Sequence, residues 1–187
     1  MHGSTDKERI LTELGKEQAT TCGKRIQELV DKGILFPIKY CYYSTMSRAK
    51  ETHDLIIPML TEKPIYDDPC TMIREGAVCK PSPESVNWHP SDESFFKDNK
   101  RIEAGFVNHI HRADIDEHSN YTTLLVCHGN VIRYFVCRAL QLDPHHWLRF
   151  SVYNASITVL DVYSNGRVSL KLLGDCGFLA GDKITYE

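Results

Sequence analysis

This chain of 187 residues contains no apolar run long enough to cross a bilayer. Its longest runs, "TTLLVC" and "YFVC", fall far short of the roughly 18–20 residues that a membrane helix needs. It does not open on the basic and apolar segments of a secretory leader. Lys and Arg never gather into a tail, and a net charge of −3 with a pI near 6.3 gives no footprint for nucleic acid or an anionic membrane. The seven cysteines are odd in number and no two have C-x-x-C spacing, which argues against a zinc knuckle or a disulfide framework. Repeats, low-complexity segments and linkers are absent as well. These absences describe a soluble protein of a reducing compartment, of a length that suits one domain over 1–187.

What is present is ordinary globular composition, 42% hydrophobic and 25% charged, arranged in alternating periods. Thr12 is placed to cap a helix whose apolar face is Leu14, Ala19, Cys22, Ile26, Leu29 and Val30, with Gly33 placed to end it. "IKYCYYS" reads as a strand, and "SRAKETHDLIIPML" as a helix that Pro58 closes. Residues 61–97 hold Pro64, Pro69, Pro81, Pro83 and Pro90 and read as a long irregular insertion, of the kind that serves as a lid or binding loop. "NKRIEAGFVNHIHRAD" is amphipathic and predicts a helix. "YTTLLVC" predicts a buried strand and "NVIRYFVCRALQL" an apolar helix. Two strands joined at Asn165-Gly166 follow. That order implies an α/β layered fold with a mostly parallel central sheet. It begins on a helix, where such folds usually begin on a strand.

Chemistry concentrates at two strand-to-helix junctions. In "LLVCHGNVIR" an apolar strand runs into His128, then Gly129-Asn130 opens a helix, the position at which open α/β sheets bind ligands. Free N–H groups and the helix dipole favour an anion there. The alternative is a core histidine before a turn. "YYSTMSRAKET" repeats the pattern, and Arg48 in the first helical turn is poorly placed for the dipole unless it faces an anion. The alternative is a surface Arg paired to Glu51 or Asp54. "MIREGAV" adds Glu75 in the insertion, either a solvated loop residue or an acid for a leaving oxygen.

"LTELGKEQA", "STMSRAKET", "REG" and "CHGNVIR", in that order, resemble the histidine phosphatase superfamily, which includes the cofactor-dependent phosphoglycerate mutases. The resemblance extends over nearly the whole chain. The insertion and the tail "LGDCGFLAGDKIT" are most similar to a mitochondrial branch of the family that removes phosphate from protein serine and threonine. It implies a three-layer phosphoglycerate mutase-like fold and a phosphohistidine intermediate. Arg48 and His128 would hold the phosphoryl oxygens, Glu75 would be the acid and base, and Asn130 would be a further phosphate-binding candidate. It implies no metal and no cofactor, a phosphoprotein substrate, mitochondrial localisation through an anchor lying upstream, and a possible homo-oligomer.

One part of the family pattern does not fit. The family nucleophile is a histidine of an Arg-His-Gly motif ending the first strand, and "MHGST" echoes it with His2-Gly3. Met1 alone precedes His2, and His2 stands nine residues before Leu11, closer than the family spacing allows. The expectation is therefore that the first strand and its nucleophile are missing and that His2 is incidental. The chain as written would have little activity, reduced stability and a tendency to associate through exposed edges. A non-catalytic phosphate- or phosphoprotein-binding module is the alternative reading. A small-molecule phosphatase or mutase is a third.

Overall fold

The computed structural model describes residues 5–6, 9–114 and 116–186; His2 lies outside them. Helix α1 (Glu13–Asp31) starts where Thr12 Oγ1 accepts from the Gly15 amide at 3.0 Å. It ends in a Schellman motif: Ile34 N donates to Leu29 O and Gly33 N to Val30 O, both at 2.9 Å, with Gly33 at φ +68. Strand β1 (Ile38–Ser44) leads into α2 (Ser47–Ile56), which a 3₁₀ turn containing Pro58 terminates.

The proline-rich stretch 61–97 is more ordered than its composition predicts. It contains strand β2 (Tyr66–Cys70) and the first residues of α3 (Asp92–His109), which Ser91 caps. Pro69 inside β2 argued against a strand. The structure resolves this by making β2 the edge of the sheet, where one missing donor costs little. The helix expected from Asn99 starts a full turn and more earlier, because Asp92 and Glu93 suit a helix N-terminus. Strand β3 (Thr122–Val126), α4 (Gly129–Ala139), and the antiparallel hairpin β4 (Ile157–Val162) and β5 (Val168–Asp175) complete the chain. Gly166, at φ +87, makes the hairpin turn where Asn165-Gly166 predicts it.

The central sheet is parallel, in the order β2-β1-β3. Alternate side chains of each strand feed opposite layers, with an irregularity in β1 between Ile38 and Tyr40 that shifts its phase. Ile38, Leu124 and Val126 meet α1 and α2 through Cys22, Ile26, Leu29 and Ile56. Tyr42 and Leu125 meet α3 and α4 through Ile102, Val131 and Phe135, together with the fully buried Trp147 of the 3₁₀ helix Pro144–Arg149. This is the helix–sheet–helix layering expected from the sequence. Hairpin β4–β5 forms a separate two-stranded sheet beside it. Among the described residues, nothing pairs with the second edge of β3 or of β4. Every residue of both strands lines one cavity of about 1710 Å³ that runs between them.

Candidate active site

Both parallel strands that carry candidate residues end at the same side of the sheet, and each passes directly into a helix. β1 ends at Ser44 before α2, and β3 ends at Val126 before α4, with His128 as the cap residue of α4. Two helix N-termini and two strand C-termini thus converge. Arg48, Glu75, His128 and Asn130 all line the end of the cavity that lies there.

Arg48 is largely buried, with 15% of its side chain exposed. Its Nη1 has no hydrogen-bond partner among the described residues, and neither has Asp6 Oδ1, which faces it at 3.9 Å. The surface pairing that the sequence left open is not made. Glu51 accepts instead from the Leu11 amide at 2.7 Å, and Asp54 holds Lys50 at 2.6 Å. The Asp6 contact is an ion pair too long for a hydrogen bond, and an anion in the cavity would supply one to Arg48 Nη1.

His128 is 7% exposed, and its Nε2 lies 2.8 Å from Ser44 Oγ, a hydroxyl with no exposed surface. Ser44 Oγ also accepts from the Met46 amide at 3.3 Å, and its remaining lone pair and proton are both able to serve Nε2, so this contact orients the ring in either tautomer. Burial, followed by the positive charges of Arg48, Arg101 and Arg74, pushes the His128 pKa down to about 3. The ring is therefore neutral at physiological pH and held in a fixed orientation by Ser44.

Glu75 reaches the site on a loop that α3 pins in place. Arg101 Nη1 donates to Arg74 O at 2.7 Å and to Met72 O at 3.0 Å, while its Nη2 donates to Glu75 O at 3.2 Å and Asp98 Oδ1 at 2.9 Å. Asp98 in turn accepts from Ala77 N at 2.9 Å. The carboxylate of Glu75 accepts from Gly76 N at 3.0 Å and from Asn130 N, in the first turn of α4, at 3.5 Å. Asn130 spends its side chain on scaffolding: Nδ2 donates to Gly76 O at 3.4 Å, and Oδ1 accepts from Arg133 Nη1 at 3.1 Å. Sequence reading did not single out Ser44, Asp98, Arg101 or Arg133. Ser44, Asp98 and Arg101 take their roles from partners 21 to 84 positions away, and Arg133 takes its role from Asn130 on the same helix.

A neutral histidine, a buried arginine with an unused donor, a carboxylate and two helix N-termini around one cavity make a site for a phosphate-sized anion with a proton-transfer group beside it. A profile of the histidine phosphatase superfamily (branch 1) matches residues 79–175, and the chain belongs to that superfamily. The mitochondrial serine/threonine-protein phosphatase PGAM5 of Xenopus tropicalis is 45% identical over 183 residues, covering 98% of this chain and 63% of that protein. The human protein of the same name is also 45% identical over 183 residues, covering 98% and 61%. A crystal structure of phosphoglycerate mutase from Plasmodium falciparum superposes with a TM-score of 0.63 at 29% identity, covering 87% of this chain and 84% of that one. The chain therefore spans a little under two thirds of the length of the curated relatives it matches.

Proposed function

We propose that this polypeptide forms the greater part of a protein serine/threonine phosphatase, and that its slot between β3 and β4 receives a further strand carrying the nucleophilic histidine. The observation that supports this most directly is the cavity itself. Two unpaired strand edges flank it along its length, and Arg48, Glu75 and His128 stand at the end where a parallel strand would deliver its last side chain. Asp6 lies at that same end, its Oδ2 accepting from Ser47 N at 3.2 Å.

In this reading the histidine nitrogen attacks phosphorus as the P–O bond of the phosphoserine or phosphothreonine breaks. Arg48 and the imidazole of His128 hold the equatorial oxygens as charge develops on them. Glu75 gives its proton to the departing hydroxyl, then takes one from the water that attacks the phosphohistidine, releasing phosphate and free histidine. Asn130 and Arg101 keep the Glu75 loop in register. His2 is not the nucleophile, and no metal takes part. Mitochondrial residence follows the names of the relatives. The phosphoprotein reading is favoured over small phosphate esters because the relatives at 45% identity are named protein phosphatases.

The 187-residue polypeptide by itself should bind phosphate and turn over phosphopeptide little or not at all. A form extended at its N-terminus by an apolar strand ending in Arg-His should hydrolyse phosphopeptide in preference to phosphoglycerate and trap label on the added histidine. Glu75→Gln should slow that reaction by roughly 10²–10⁴-fold. Turnover by the 187-residue chain that disappears in His2→Ala would overturn the proposal.

A further inference from the structure

A second polar cluster lies on the sheet face that α2 covers, built from three elements. Cys41 of β1 and Asp67 of β2 are direct partners across the parallel ladder, so their side chains stand side by side on one face. His53 of α2 comes down over them. Its ring stacks on Tyr43 at 4.0 Å between centroids, and its Nε2 lies 2.8 Å from Asp67 Oδ1. Its Nδ1 lies 2.9 Å from Asp54 Oδ1. Cys41 Sγ, the imidazole nitrogen and the Asp67 oxygen all fall within 4.8 Å of one another.

The imidazole thus faces a carboxylate with each nitrogen. A protonated ring donates to both carboxylates, whereas a neutral ring whose Nδ1 hydrogen is held by Asp54 turns an Nε2 lone pair toward Asp67 and Cys41, open to a cation. One thiol, one imidazole and one carboxylate converging on a point is a ligand set suited to zinc-class ions. The Asp54 contact is the orienting carboxylate that commonly backs a metal-bound histidine, and Lys50, at 2.6 Å from its other oxygen, holds Asp54 in turn. A tetrahedral ion with bonds of 2.0–2.3 Å needs ligand atoms about 3.3–3.7 Å apart, so the cluster has to adjust: the Nε2–Oδ1 pair, at 2.8 Å, opens, and any wider contact of the set, all of which lie within 4.8 Å, closes. Edge strand β2, which carries the partly exposed Asp67, is the member free to do so. Solvent on the Asp67 side supplies a fourth ligand.

We infer that Cys41, His53 and Asp67 form a binding site for a zinc-class divalent cation, separate from the phosphate pocket and clamping α2 to β1 and β2. His53 stands five residues after Arg48 on the same helix. An occupied site therefore steadies the element that presents Arg48 to phosphate.

Cobalt(II) titration of the metal-free, reduced 187-residue chain tests this. The expected result is one equivalent bound with the visible bands of a tetrahedral ion and a near-ultraviolet thiolate-to-cobalt charge-transfer band, both displaced by zinc, together with a raised melting temperature. The charge-transfer band should vanish in Cys41→Ser and persist in Cys70→Ser. Asp54→Asn, which keeps all three ligands and changes an exposed residue, should weaken affinity roughly 10–100-fold. Absence of the charge-transfer band, its survival in Cys41→Ser, or undiminished affinity in Asp54→Asn would overturn the assignment.

Discussion

A methyl group added to Gly76 would lie 2.5 Å from Asp98 Cγ and 2.6 Å from Arg101 Nη2, the two side chains that hold the Glu75 loop. Both are anchored, so the loop and not the neighbours would move. Gly76→Ala should displace the Glu75 carboxylate while leaving Arg48 and His128 in place. The expected outcome is a rate loss on the order of 10²-fold in the strand-extended enzyme, with phosphate affinity nearly unchanged; parallel kinetics and calorimetry separate the two. His128 carries a prediction of a different kind. Its pKa falls from an ordinary 6.5 to about 3 on folding, and that of half-buried His109 falls to about 4. The unfolded chain therefore binds more protons than the native one across pH 3–6.5, and stability drops as pH falls through that window. Each histidine contributes up to about 1.4 kcal/mol per pH unit. His128→Asn should remove its share and leave that of His109, which urea unfolding between pH 4 and 7 would show as a shallower slope.

Helices α1 and α2 approach so closely at Gly23 that an added Cβ would sit 3.0 Å from the Ile56 backbone and from Met59 Cγ. Gly23→Ala should cost roughly 1–3 kcal/mol through overpacking, despite alanine's better helix propensity; a lowered urea midpoint at constant slope would show it. Most elements were legible because period and punctuation agreed. The stripe from Leu14 to Val30, the Gly33 stop and the Asn165-Gly166 turn each have a local cause. β2 was not legible, because "YDDPC" has no apolar alternation and owes its strand form to pairing with β1. The junctions bearing Arg48 and His128 were legible from the strand-to-helix passage, and Glu75 from the family resemblance. Ser44 and Arg101 were not, since a buried serine and an exposed-looking arginine acquire meaning from residues 84 and about 30 positions away.

At the scale of the whole molecule, the parallel sheet and the hairpin sheet share a boundary without sharing hydrogen bonds among the described residues. Open edges with apolar walls favour pairing between copies. The 187-residue chain should therefore associate as its concentration rises, and the strand-extended form should not; sedimentation velocity at matched concentrations distinguishes them. No described helix is long and apolar enough to cross a membrane.

The open edge of β3 also has a signature in time. Thr122 N donates to Pro37 O at 2.9 Å, toward β1, and alternate residues of a parallel strand turn their amides to opposite sides. Thr123 and Leu125 then point into the slot while Thr122, Leu124 and Val126 point to β1. In deuterated water, exchange along this five-residue strand should run slow and fast with a period of two, as though half of it belonged to a loop. Filling the slot should silence the fast set alone, so that the exchange pattern of one strand reports whether the catalytic unit is whole.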